Sequence, residues 1–67
     1  MNEREIIDTF MDKNDRMIFS GDQVWYEPDG RYATVDLIGT DGQAQLTYSD
    51  GSHEFVNQED LLKEQPS

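Results

Sequence analysis

Three Asp-Gly dipeptides, Asp29-Gly30, Asp41-Gly42 and Asp50-Gly51, divide this chain into short runs in which apolar and polar residues alternate. Asp-Gly between alternating runs is among the strongest local hairpin signals, because glycine supplies the positive φ that a tight turn requires. The runs are Gln23 to Tyr26, Arg31 to Ile38, Gln43 to Tyr48 and His53 to Val56. In the second, Ala33, Val35 and Leu37 share one face, with Tyr32, Thr34 and Asp36 on the other. In the third, Ala44, Leu46 and Tyr48 oppose Gln43, Gln45 and Thr47. This spacing prescribes an antiparallel meander. A flat meander of this size leaves two edges open, and curling it into a partly closed barrel buries one apolar face and shortens those edges.

The flanks complete the expected architecture. Asn2 is a competent helix N-cap, with Glu5 three residues on in a capping-box arrangement. Ile6, Ile7, Phe10 and Met11 recur at helical spacing, and Lys13 and Asn14 suit the C-terminal end of a helix. So short a helix needs a surface to dock on. Its apolar face either packs on the chain's own sheet or forms a homodimer contact through Ile6, Ile7, Phe10 and Met11. Met17, Ile18 and Phe19 begin the β region, and Asn57 to Asp60 suits a single helical turn that inserts Leu61 and Leu62 into the core. The expected fold is mainly β: a small antiparallel barrel of four or five strands with a short N-terminal α-helix. The helix occupies residues 1–14, the barrel 17–63 and a frayed tail 64–67. The expected inner lining is Val24, Ala33, Val35, Leu37, Leu46, Val56 and Leu61.

With 67 residues and no cysteine, the chain relies on one small apolar core, without disulfides or thiolate-bound metal. A body this small has little room for a deep substrate cavity, which argues against an enzyme. Fifteen Asp and Glu against five Lys and Arg give a net charge of −10. Such a charge repels phosphate backbones and anionic membranes and attracts a basic partner. No apolar run is long enough for a transmembrane helix, and Met1 to Glu5 leads into no signal-peptide stretch, so the expected compartment is the cytoplasm.

The order of local motifs resembles Tudor-type small barrels. Gly21-Asp22-x-Val24 is followed by Gly30-Arg31-Tyr32-Ala33-Thr34-Val35, then by Leu46-Thr47-Tyr48-Ser49-Asp50-Gly51, and finally by Glu54-x-Val56 and Asp60-Leu61. The resemblance spans Gly21 to Leu62. It implies a module that reads cationic side chains with an aromatic cage, in which each good ring contact contributes ~1–2 kcal/mol. By that resemblance Trp25 or Tyr26 supplies the first aromatic, Tyr32 the second and Tyr48 the third, while Asp50 and Glu54 meet the cation. A further aromatic that the family often carries beside Asp50 is absent. Against the cage stands a structural role, since small barrels without disulfides use aromatics as core.

Other chemistry finds little support. His53 is the sole histidine and lacks the partners of a metal site or nucleophilic triad. Asp12-x-Asn14 opens like a calcium loop, but Arg16 stands where an oxygen ligand belongs. No cofactor and no metal are expected. Two functional readings follow: a non-catalytic, Tudor-like module that binds a basic protein or peptide through Trp25, Tyr26, Tyr32, Tyr48, Asp50 and Glu54, or an acidic nucleic-acid mimic that blocks a nucleic-acid-binding protein. Neither binds nucleic acid itself.

Overall fold

A computed structural model describes residues 6–66, and the Asn2 and Glu5 capping arrangement lies outside them. The chain runs through β1 (Ile6–Ile7), β2 (Thr9–Met11), β3 (Met17–Phe19), β4 (Gln23–Tyr26), β5 (Arg31–Gly39), β6 (Gln43–Thr47) and β7 (His53–Asn57). A 3-10 turn (Gln58–Asp60) then leads into β8 (Leu61–Leu62). The main sheet has the order β7-β6-β5-β4-β8, with β1 beside the far end of β5, and β2 and β3 form a separate hairpin. Every pairing is antiparallel. The meander expected from the Asp-Gly spacing is present, and Gly42 and Gly51 sit at φ 87° and 88°, where a side chain would strain the turn.

Two expectations about architecture are overturned. The barrel does not close: β7 and β8 end the sheet and do not pair with each other. With two residues, β8 reaches only the edge of β4, where Trp25 pairs with Leu62 and Tyr26 with Leu61. Nor is there an N-terminal α-helix over the described residues; Ile6 to Met11 is a bent strand. The helical spacing of Ile6, Ile7, Phe10 and Met11 fits this geometry equally. Ile7 pairs with Ile38 and packs on the core. The strand bends at Asp8, and Phe10 then pairs with buried Ile18 and packs on the same core. β-branched and aromatic side chains favour this extended form once a neighbouring strand is present. Ile6 and Met11 face outward. The residue that takes up left-handed geometry in the following turn is Asp15, at φ 63°.

The core consists of Ile18, Val24, Ala33, Val35, Ile38, Ala44, Leu46, Tyr48, Val56 and Leu61, all nearly inaccessible to solvent. Six of the seven expected lining residues are there. Leu37 is not, being 42% exposed. The register of β5 on β6 shifts between Val35 and Leu37, so a bulge at Asp36 resets the alternation. Beyond it Ile38 turns inward against Ala44, and Leu37 turns outward opposite Gln45.

The N-terminal hairpin is fastened to the chain's end by Asp12, a buried carboxylate 5% exposed. One oxygen accepts from the amides of Asn14 (2.8 Å) and Arg16 (2.9 Å), and the other accepts from the amide of Lys63 at 2.8 Å. Burial opposes ionisation of Asp12. The amides of Lys63, Arg16 and Asn14, with the charge of Arg16, outweigh it and hold the carboxyl below its usual 3.8. Lys63 extends its ammonium to Asp22 at 2.8 Å, and that bond, with the Phe19 amide, holds Asp22 low too. No helix among the described residues is long and apolar enough to cross a membrane.

Asp12→Asn keeps one acceptor oxygen but loses the bond from Lys63, and is expected to lower stability by about 1–2 kcal/mol; Asp12→Ala strands all three amides, at about 2–3 kcal/mol. Urea unfolding measures both. Because the folded Asp12 and Asp22 carboxyls lie below 3.8, their stabilisation is present above that pH and is lost as pH falls through the lower folded values. Asp12→Asn therefore flattens the acid limb of the stability curve.

Candidate functional site

Successive residues of a strand point to opposite faces, and this divides the expected aromatic set. Across β4 and β5, Val24 pairs with Ala33, Trp25 with Tyr32, and Tyr26 with Arg31. Trp25 and Tyr32 therefore lie together on the outer face, in an edge-to-face contact with centroids 5.0 Å apart. The Tyr32 hydroxyl accepts a bond from the Gln65 amide at 3.3 Å, joining this pair to the C-terminal segment. Tyr26 and Arg31 share the core side with Val24 and Ala33, at the end of the sheet where the core opens to solvent.

Tyr48 joins that end. Extending the pairing of Thr34 with Thr47 places Tyr48 opposite Ala33 and diagonal to Arg31. The ring is 5% exposed and belongs to the core. The Arg31 guanidinium lies 3.6 Å from its centroid, a cation–π seat, and bonds the Asp29 carboxylate through Nε (3.2 Å) and through its terminal nitrogen (3.1 Å). A side chain of the protein itself thus occupies the ring face that the Tudor-type resemblance assigns to a ligand cation. Arg31 is not among the residues that the resemblance assigns to the site; its position two residues before Ala33 brings it to Tyr48 only through the β5–β6 register.

Carboxylates surround this stack. The Tyr48 hydroxyl donates to Glu54 at 2.6 Å. Burial, that bond and the Glu54 charge push the Tyr48 phenol far above 10.0, and Arg31 only partly offsets them. Tyr26 is also raised, by burial first and then by the charges of Glu54, Asp60 and Asp29. Asp50, in the neighbouring turn, accepts from the Ser52 hydroxyl (2.7 Å) and amide (3.0 Å), which hold it below 3.8 with a smaller contribution from Arg31. Glu27 is bridged by Lys13 at 2.9 Å. Of the six expected site residues, Tyr26, Tyr48, Asp50 and Glu54 meet at this end, and Trp25 and Tyr32 do not. Asp29 and Asp60 are members that the sequence reading did not select.

The remaining polar candidates have structural engagements. Thr47 donates to Asp36 and lies 2.9 Å from His53 Nδ1, with Asp36 3.8 Å from the same nitrogen, so the lone histidine sits on the surface in a small polar cluster. Both oxygens of Asp12, the first residue of the calcium-like run, are taken by backbone amides, and no group of metal-ligating side chains occurs among the described residues. Comparison of the chain with protein-family models, curated proteins and solved structures returns no match.

An ultraviolet titration is expected to show Tyr26 and Tyr48 still protonated past pH 10.0, with Tyr48→Phe removing the latest-ionising component. Because both folded values are raised, the associated stability is full below pH 10.0 and is lost as pH climbs above it.

Proposed function

We propose that the chain is a small non-catalytic interaction module that binds a basic protein or peptide through the acidic end formed by Tyr26, Asp29, Asp50, Glu54 and Asp60. One observation carries the reading: Glu54 accepts from the Tyr48 hydroxyl at 2.6 Å, Asp29 holds the Arg31 guanidinium on the same ring, and Asp60 directly precedes Leu61, the strand partner of Tyr26. Arg31, the cation that the described residues place among them, is committed to Asp29 and the Tyr48 ring. A concentrated negative field beside a half-buried aromatic suits Lys and Arg side chains and accelerates their encounter at low salt.

The Tudor-type resemblance enters this reading in modified form. Arg31 covers the Tyr48 ring, so recognition rests on clustered charge and the Tyr26 edge rather than on a cage for one methylated cation. The non-catalytic part is supported by how the titratable side chains are used: His53 adjoins Thr47 and Asp36, Glu54 accepts from Tyr48, and Asp12 accepts three amides. The groove lined by Ile6, Leu37 and Phe55 holds about 50 Å³ and carries none of these groups.

Calorimetric titration with an Arg- and Lys-rich peptide is expected to give binding that weakens as salt rises. An exposed ion pair contributes about 0.2–1 kcal/mol, so the combined Asp29→Asn, Glu54→Gln and Asp60→Asn variant should bind roughly tenfold more weakly. Absence of binding at low salt, or equal affinity of the variant, rejects the proposal. With a natural basic partner, displacement by DNA or RNA would identify the inhibitor reading, in which this end occupies a nucleic-acid-binding surface.

A further inference from the structure

β2 and β3 pair with each other and stand apart from the main sheet. Among the described residues, the main-chain bonds of residues 9–19 stay within this hairpin and its base. The hairpin is pinned where it begins and where it ends. Ile7 pairs with Ile38 just before the bend at Asp8. Beyond Ser20, the Gly21 amide donates to the Val35 carbonyl (2.7 Å) and the Val35 amide donates to the Asp22 carbonyl (2.9 Å). The C-terminal segment has a fixed point of its own at Gln58. Its main-chain amide donates to the Gly42 carbonyl (2.8 Å), and its side-chain amide donates to the carbonyls of Gly39 (2.7 Å) and Gln43 (2.8 Å). Past that point the Glu27 amide donates to the Asp60 carbonyl (3.0 Å), and β8 meets β4 over two residue pairs.

We infer that the β2–β3 hairpin and the segment from Leu61 to Gln65 form a single cap, which acid lifts from the core as a unit while the β4–β7 meander stays folded. The ties between the two halves of the cap share one chemistry. The Lys63 amide donates to Asp12 (2.8 Å), the Lys63 ammonium to Asp22 at the hairpin base (2.8 Å), and the Arg16 guanidinium to Glu64 (3.2 Å). The bond from Lys13 to Glu27 at 2.9 Å, which joins the hairpin to the meander, is of the same kind. Every acceptor among these is a carboxylate, so protonation weakens them together. The meander also has carboxylate bonds, Tyr48 to Glu54 among them, but it is held by main-chain ladders, which do not titrate.

Asp12 matters most, because it is buried and collects three amides, which a protonated carboxyl matches poorly. Around it stand Lys13, Asp15 and Arg16 of its own turn and Lys63 and Glu64 of the C-terminal segment, with Asp22 linked through Lys63. The amides and Arg16 favour the charged form, so the stabilisation is full above 3.8 and is lost as pH falls below it. The exposed pairs of Lys13 and Arg16 contribute less. Lifting the cap takes Phe10, Ile18 and Leu61 off the core and Leu62 away from Trp25, the chain's one tryptophan. The bonds of Ser20 to Asp8 and of Asp12 to Arg16 make Phe10 and Ile18 a hydrogen-bonded pair. A hairpin this short does not keep its ladder without a surface beneath it, so the amides of that pair report the opening.

Acid titration of the full chain is the test, followed by Trp25 fluorescence, by binding of an apolar dye and by NMR of the Leu46 and Val56 amides. The expected result is two steps. As pH falls below 3.8, Trp25 emission moves to longer wavelength and the dye binds, while Leu46 and Val56 keep their native signals to lower pH. Asp12→Asn is expected to speed exchange of the Phe10 and Ile18 amides at neutral pH by about tenfold. Should that variant fail to fold, exchange of the unaltered chain in dilute urea decides: Phe10 and Ile18 share an opening with a shallower urea dependence than that of Leu46 and Val56. One transition common to Trp25, the dye, Leu46 and Val56, unchanged exchange in a folded Asp12→Asn variant, or a single urea dependence for all four amides overturns the inference.

Discussion

The register shift at Asp36 governs which side chains this protein presents and which it hides. β5 is the strand that β4, β6 and β1 all pair with, so a change of phase within it propagates to every neighbour. Before the shift, Ala33 and Val35 fill the core between β4 and β6. After it, Ile38 fills the core beside Ile7 and Ala44, and Leu37 is delivered to the outer face. Without the bulge, the last residues of β5 would bury Leu37 and expose Ile38. The row of Leu37, Gln45 and Phe55 would then lose its apolar end, and β1 would have no buried partner for Ile7.

Closure of the core falls to the chain's two ends. The sheet does not wrap into a barrel, so the β2–β3 hairpin brings Phe10 and Ile18 over the core while β8 brings Leu61. Asp12 couples these segments by accepting amides from its own turn and from Lys63, fifty-one positions away. Its buried charge is tolerable because each oxygen is matched by donors. Lys63 then reaches Asp22, and its ammonium lies 5.7 Å from the Phe19 ring. A short sheet that does not close among the described residues is thereby held by one polar knot instead of a closed cylinder of strands.

What could be read from the letters was whatever depends on local chemistry. The Asp-Gly turns, the inward set Ala44, Leu46 and Tyr48, and the 3-10 turn before Leu61 and Leu62 each follow from glycine conformation or strict alternation. The phase change was hidden, because Val35-Asp36-Leu37-Ile38 offers apolar residues at both parities. Strict alternation selects Leu37, and pairing selects Ile38. The first segment misled for a similar reason: two apolar pairs four residues apart suit a helix or a bent strand, and distant strands β3 and β5 decide between them. Of the residues proposed for the site, strict alternation fixes the shared face of Ala44, Leu46 and Tyr48, whereas the outward turn of Trp25 and Tyr32 and the seat of Arg31 on Tyr48 depend on register.

The resulting molecule has two chemically distinct surfaces. One end concentrates carboxylates around Tyr26 and Tyr48, whereas the outer side of β6 and β7 presents mainly amide and apolar side chains, with Asp36 of β5 beside Thr47 and His53. Recognition of a basic partner by the first of these is the central claim, and the most direct measurement is residue-by-residue NMR mapping of an isotope-labelled chain during titration with an arginine-rich peptide. The account predicts that the largest shifts fall on Tyr26, Asp29, Arg31, Asp50, Glu54 and Asp60, leaving Gln45 and Asn57 unmoved. Shifts confined to Trp25 and Tyr32, or spread evenly over every exposed carboxylate, would contradict it.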